Sequence, residues 1–442
     1  MKRLSTSTAF FMTLPALAAA SSSGIPVKAA SAVFARAHAL CSADGGRLWG
    51  ISLCGPLIFA DPRTHAAIAN VPVPGATRIR GLYRFTLPAG IGVSDTWLQY
   101  RGIRFAEIMW PPMSNPAALA VTLMHESFHR IQPELGFVIK GARDDAITIS
   151  GDAALDTETG RIWFRGELHA LRAALTSRGP ERRRALTDAL ELRAYRHALL
   201  PATIRPEHEL DVFEGLAEST GIDVGLPPSR RLAYTLHDIR FVERSSNYAR
   251  TFCYAIGPAY SELLDSVTPN WRHRITMHTS IAALAARAYG IDVVTPDAAH
   301  AHEILARFGG AAIEREEAAR AAQEKMRDTE YRAQFLDGPT LRLPLGRFSM
   351  DYRPAQVRSW GSMGFVYRKL TVRSLWGRIA ISHGRAWINR TYSELTVIAP
   401  AITSGRVLHG KGWVLTLSSA AQIVPDRRRP GSYVMTLRKA VP

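Results

Sequence analysis

The chain has 442 residues, enough for two domains, and 47% of them are apolar, ample for a core. Its formal net charge of +17 comes almost wholly from arginine, spread along the chain with only short runs such as Arg182-Arg183-Arg184 and Arg427-Arg428-Arg429. With no nucleic-acid motif beside them, these arginines exclude a dedicated nucleic-acid binder and leave attraction to anionic envelope polymers open.

Lys2 and Arg3 precede an apolar stretch, Ala9 to Leu17, and Ala16-Leu17-Ala18 or Ala18-Ala19-Ala20 suits a signal peptidase. The pattern predicts a signal peptide over 1–20 and a periplasmic or secreted protein with no further transmembrane span. In an oxidising compartment Cys41 and Cys54, flanking the Gly45-Gly46 turn of a plausible hairpin, are expected to pair, leaving Cys253 as a buried thiol. Residues 31–40 read as a short amphipathic helix. Arg47 to Leu53, Pro56 to Pro62, 81–87 and Trp97 to Trp110 read as strands of an N-terminal sheet. The last of these runs through Pro111-Pro112 into the next helix, as an internal strand or as an edge open to an extended peptide.

That next helix carries the chemistry. Ser114-Asn115-Pro116 starts it, Pro133 and Gly136 end it, and it reads His125-Glu126-Ser127-Phe128-His129. Leu119, Ala120, Val121, Leu123, Met124, Phe128 and Ile131 cover most of its circumference. His125, Glu126 and His129 lie on the stripe left over. Two histidines four residues apart face the same way and can hold zinc, with Glu126 in reach of a metal-bound water as general base. Buried without such a partner, these groups would be costly.

A loop-rich passage over 141–160 contains Asp144, Asp145, Asp152 and Asp156 without calcium-loop spacing. A helical stretch over 161–199 breaks near Gly179-Pro180 and holds Glu167 and His169. Pro206 then opens a second important helix and Gly221 closes it. Its acidic stripe is Glu207, Asp211, Glu214 and Glu218, with Leu210, Val212, Phe213, Leu216 and Ala217 on the apolar side. Asn247 to Val267 reads as a helix bent at Gly257-Pro258, and helices continue over 271–289 and 297–336. From Thr340 to the end, short strands and turns replace helix signals. Trp360, Trp376, Trp387 and Trp413 there read as core. Internal repeats are absent from the sequence.

His125-Glu126-x-x-His129 followed by a helix with Glu214-Gly215-Leu216-Ala217-Glu218 resembles the gluzincin class of zinc metallopeptidases. The resemblance implies Zn2+ on His125, His129 and Glu214, with Glu126 as general base. It implies that Glu218 bonds the outer nitrogen of a zinc histidine, and that Tyr254 or Tyr260 steadies the oxyanion. Glu167 is the rival third ligand. The implied substrate is a peptide or protein. The expected architecture is α+β: a mainly helical zincin-like domain with an N-terminal β-sheet over 21–337, then a small all-β domain over 338–442.

Overall fold

The computed structural model describes residues 24–88, 90–139, 154–352, 356–401 and 403–437. The expected signal peptide lies outside the described residues, as do Asp144, Asp145 and Asp152. The chain is α+β with an all-β C-terminal region. It divides into two compact units, one holding the described residues up to Ala154 with Trp163–Ile304, the other Leu155–Ile162 with the chain from Leu305 onward.

In the first unit a helix, α1 (Val27–Asp44), precedes strands β1 (Leu57–Ala60), β2 (Ala66–Ala69), β3 (Thr77–Ile79), β4 (Leu82–Thr86), β5 (Thr96–Tyr100) and β6 (Ile103–Met109). They form one sheet in the order β3-β4-β2-β1-β6-β5. All neighbours are antiparallel except β1 and β6, which run parallel with Phe59 opposite Ile108. Alternation separates the faces. Ile58, Ala60 and Phe105 join an apolar cluster with Val73 and Leu87, while Phe59 meets Phe34 of α1 with ring centroids 4.5 Å apart.

Three readings change here. Helix α1 is longer than 31–40 and stops at Gly45, whose φ of 61° is cheap only for glycine. Cys41 sits in its last turn, so the Cys41–Cys54 disulfide (Cα–Cα 5.2 Å) ties a helix end to the following loop instead of lying in a hairpin. Arg47 to Leu53 is turn, because Gly45, Gly46 and Gly50 all take positive φ and curl the chain away from extended pairing. Strand β6, which leads into the next helix, is internal; among the described residues the edge strands of this sheet are β5 and β3.

The helices that follow are α2 (Pro116–Ile131), α3 (Glu158–Thr176), α4 (Gly179–Leu199), α5 (Ile204–Leu210), α6 (Leu216–Gly225), α7 (Pro228–Glu243), α8 (Tyr248–Thr251), α9 (Cys253–Asp265), α10 (Ile281–Ala288) and α11 (Ala298–Arg307). The Asn115 side chain caps α2 by accepting from the amides of Ala117 and Ala118, an arrangement worth about 1 kcal/mol. Helix α2 packs on α6 at backbone contact. A Cβ on Gly221 would stand 2.6 Å from the Val121 carbonyl oxygen, and one on Gly225 2.8 Å from the Ala120 carbonyl. Val121, Ile222 and Leu226 close that seam. The sequence pattern missed α7, whose apolar residues fall on both its buried side, with Ile239 and Val242, and its exposed side, with Phe241, and so mark no single face.

The second unit contains α12 (Gly310–Arg332), then β7 (Thr340–Pro344), β8 (Phe348–Tyr352), β9 (Val357–Ser359), β10 (Gly364–Tyr367), β11 (Leu370–Ser374), β12 (Gly377–Ile381), β13 (Ala386–Asn389), β14 (Glu394–Ile398), β15 (Val407–Gly410), β16 (Trp413–Leu417), β17 (Ala421–Pro425) and β18 (Tyr433–Leu437). Two sheets, ordered β17-β18-β7-β14-β13-β10-β9 and β15-β16-β12-β11-β8, share one core that includes Leu341, Leu395, Val372, Trp376 and Trp413. Trp360 and Trp387 pack with Tyr331 and Phe335, so all four tryptophans are structural. This unit starts before the all-β region because Glu317 of α12 bonds Arg161 at 2.7 Å and Arg320 donates to the Asp156 carbonyl. Among the described residues no helix is long and apolar enough to cross a membrane.

Candidate metal centre

Helix α2 buries His125, Glu126 and His129 to 6%, 5% and 4% exposure, as the polar stripe of an otherwise apolar helix requires. The three offer potential ligand atoms within 4.8 Å of one another and could hold a metal ion. The two Nε2 atoms face each other at 3.0 Å, and Glu214 Oε2 lies 3.4 Å from both. Atoms about 2 Å from a shared tetrahedral ion stand roughly 3.3 Å apart, so the spacing fits such a group.

The outer nitrogens fix the tautomers. His125 Nδ1 donates to Glu218 Oε2 at 2.8 Å, and His129 Nδ1 donates to Gln132 Oε1 at 2.7 Å. Gln132 must present its oxygen to His129, because its Nε2 donates to the Phe213 carbonyl at 2.6 Å. Both Nε2 lone pairs therefore point inward, as metal ligation needs.

The second helix is three pieces: α5, a π turn over Asp211–Gly215, and α6. It starts at Ile204 and runs past Gly221 to Gly225, which reaches the backbone of α2. The extra residue of the π turn splits the acidic stripe. Glu207 and Asp211 turn to Arg196 and Arg193, the latter pair at 2.7 Å, while Glu214 and Glu218 turn to the histidines. Glu167 is fully buried and committed to the same arginine network. It accepts from Arg193 at 3.1 Å, Arg196 at 2.9 Å and Tyr260 at 3.3 Å. Neither Glu167 nor Tyr260 thus joins the histidine cluster in the manner the sequence left open.

Tyr254 does join it. Its hydroxyl donates to Glu214 Oε2 at 3.2 Å, and its ring lies 6.0 Å from that of His125. The backbones of Gly215 and Gly257 touch beside this pair, where a Cβ on Gly257 would collide with Gly215. In the sequence Gly215 stands in the motif with no role of its own and Gly257 reads only as a bend, so their mutual contact is a finding of the fold. Sequence reading missed Gln132, although a residue three beyond His129 shares its helix face.

Burial pushes both histidines toward neutrality, but Glu214, with Glu218 at His125, outweighs it and raises their pKa values. Burial would likewise raise Glu214, yet the two histidines hold it well below the usual carboxylate range. Glu126 is pushed up to about 7 by burial, against the histidines and with Glu214 and Asp95, and its Oε2 is buried without a hydrogen-bond partner. A second orphan lies nearby on β6. Glu107 is fully buried, and neither of its oxygens makes a well-formed hydrogen bond. Burial outweighs the Ser94 amide and, with Asp95 and Glu126, pushes Glu107 up to about 8.

The chain matches no protein-family model, no curated protein and no solved structure.

Proposed function

We propose that the protein is an exported zinc-dependent metallohydrolase, a peptidase of the gluzincin kind, with zinc on His125, His129 and Glu214. The observation that carries this reading is the convergence of two Nε2 atoms and one carboxylate oxygen within 3.4 Å, each ring's Nδ1 already bonded elsewhere. Bound there, zinc would bring the pKa of a water toward neutrality and polarise a scissile carbonyl.

Glu126 takes a proton from the attacking water and delivers it to the leaving amine. An unpartnered oxygen and a pKa of about 7 suit a group that must both accept and donate. Tyr254 donates a hydrogen bond to the carbonyl oxygen as charge develops on it. Glu218 and Gln132 keep the two rings in the ligating tautomer. The free edge of β5, which also touches α2, accepts an extended chain by strand addition, favouring a peptide or protein substrate. The Cys41–Cys54 disulfide supports export to the periplasm or beyond.

The test is metal analysis beside turnover of a mixed peptide library. The mature protein should hold about one zinc per chain, and His125→Ala and Glu214→Ala should lose it. Glu126→Gln should retain zinc and lose hydrolysis. Full zinc occupancy in both ligand variants, or full activity in Glu126→Gln, would sink the reading.

A further inference from the structure

The second unit holds a feature that hydrolysis does not use. A cavity of about 720 Å³ is walled by six cations, Arg327, Arg358, Arg368, Lys369, Arg385 and Lys411, and by no carboxylate. They come from separate places in the chain. Arg327 is on α12, Arg358 on β9, Arg368 and Lys369 form the β10–β11 turn, Arg385 precedes β13, and Lys411 lies between β15 and β16. Arg385 pairs with Glu330 at 2.9 Å and Arg327 with Glu324 at 3.5 Å. Among the described residues, Arg358, Arg368, Lys369 and Lys411 meet no carboxylate within 4 Å. The charges are gathered by rigid backbone. Gly412 takes φ +79°, and a Cβ there would collide with Gly384, while Ser382 and His383 both donate their amides to the Gly412 carbonyl. Lys411 is thereby fixed beside Ser382 and Arg385.

Like charges drawn around one concavity repel, and four of the six have no carboxylate partner among the described residues; such a cleft focuses positive potential onto whatever enters. We propose that this cavity binds a compact polyanion carrying two or more phosphoryl groups. Guanidinium forks match phosphoryl oxygens, and the lysines add point charge. The volume exceeds what one phosphate needs and falls in the range of small-ligand sites. The aromatic side chains in the lining are His383 and the buried Tyr331, too few for the row of stacked rings that single-stranded nucleic acid needs. The proposal stands apart from the zinc reading, and neither fails with the other.

The experiment titrates the full mature protein with inorganic tripolyphosphate and, separately, with orthophosphate, by calorimetry at two salt concentrations. Tripolyphosphate should bind saturably and the tighter of the two, and weaken with salt. Lys369→Glu and Lys411→Glu, both at exposed positions, should each weaken it on the order of tenfold. Arg390→Glu, at the opposite end of the β10–β13 pair, should bind as wild type. An unchanged melting temperature would show that the variants are folded. Phosphatidylcholine vesicles with and without a bisphosphate lipid then distinguish the source. Capture that Lys411→Glu abolishes assigns a membrane headgroup, and tripolyphosphate binding without capture assigns a soluble anion. Absence of saturable tripolyphosphate binding, or equal weakening by Arg390→Glu, would overturn the proposal.

Discussion

Gln132 grips His129 with one end of its amide and the turn bearing Glu214 with the other. Its Oε1 accepts from His129 Nδ1 at 2.7 Å, and its Nε2 donates to the Phe213 carbonyl at 2.6 Å. One side chain thus sets a histidine tautomer and the seat of the carboxylate that faces it. Gln132→Leu should lower zinc affinity about 10–100-fold, as read by competition with a chromogenic chelator. Gln132→Glu, able to accept from His129 but not to donate to Phe213, should fall between. Wild-type affinity in the leucine variant would show that the amide is only a packing element.

Gly257 should tolerate no side chain. Alanine there must push against the backbone of Gly215, which neighbours Glu214, at a cost of about 1–3 kcal/mol. Thermal melts should show Gly257→Ala destabilised and its zinc affinity reduced. Gly346→Ala, where a Cβ meets open space, should change neither. Equal melting of the two variants would refute the contact argument.

Glu107 makes stability depend on pH in a definite direction. Its folded pKa is raised from 4.5 to about 8, so between those values the unfolded chain has released a proton that the folded chain keeps. Stability should therefore fall as pH rises through this window, by up to several kcal/mol at full effect. Glu107→Gln has no proton to lose. Urea unfolding of metal-free protein should show a flatter profile for the variant and a higher stability than wild type at pH 8. A variant that is less stable than wild type at pH 8 would count against a neutral Glu107.

Arg196 holds Glu167 and Glu207 in a dry network. Arg196→Met would remove the guanidinium that both carboxylates share, leaving Glu167 to Arg193 and Tyr260 and Glu207 to His197, and breaking buried pairs in this way costs about 3–5 kcal/mol. The urea midpoint should drop accordingly, while the folded fraction keeps its zinc, because the arginine bonds no group of the histidine cluster. Loss of zinc from folded Arg196→Met would tie the network to the metal site.

Much of this site was legible because its signals are local. A cap, a proline and one polar stripe define α2 within its own segment, and two cysteines close in sequence around Gly45-Gly46 point to the Cys41–Cys54 pairing. The all-β character of the C-terminal region showed through its turn residues, such as the exposed Arg368-Lys369 between β10 and β11, but the pairing of those strands did not. What stayed hidden depends on partners far along the chain. Whether Glu167 or Glu214 meets the histidines is decided by Arg193 and Arg196, which take Glu167 away. The six cations of the polyanion cavity are scattered across five segments, and only the fold of the second unit assembles them.

The π turn at Asp211–Gly215 has a consequence for how this chain can vary. On an unbroken α-helix Glu207, Asp211, Glu214 and Glu218 would share one face and could serve one neighbour only. The additional residue turns the later pair away from the earlier by on the order of 100°. Deleting Val212 or Phe213 from that turn is therefore no local lesion. It would counter-rotate everything beyond it, swinging Glu214 and Glu218 off the histidines while leaving Glu207 and Asp211 seated on their arginines. Length at this turn, more than composition, is what the two sets of carboxylates cannot do without.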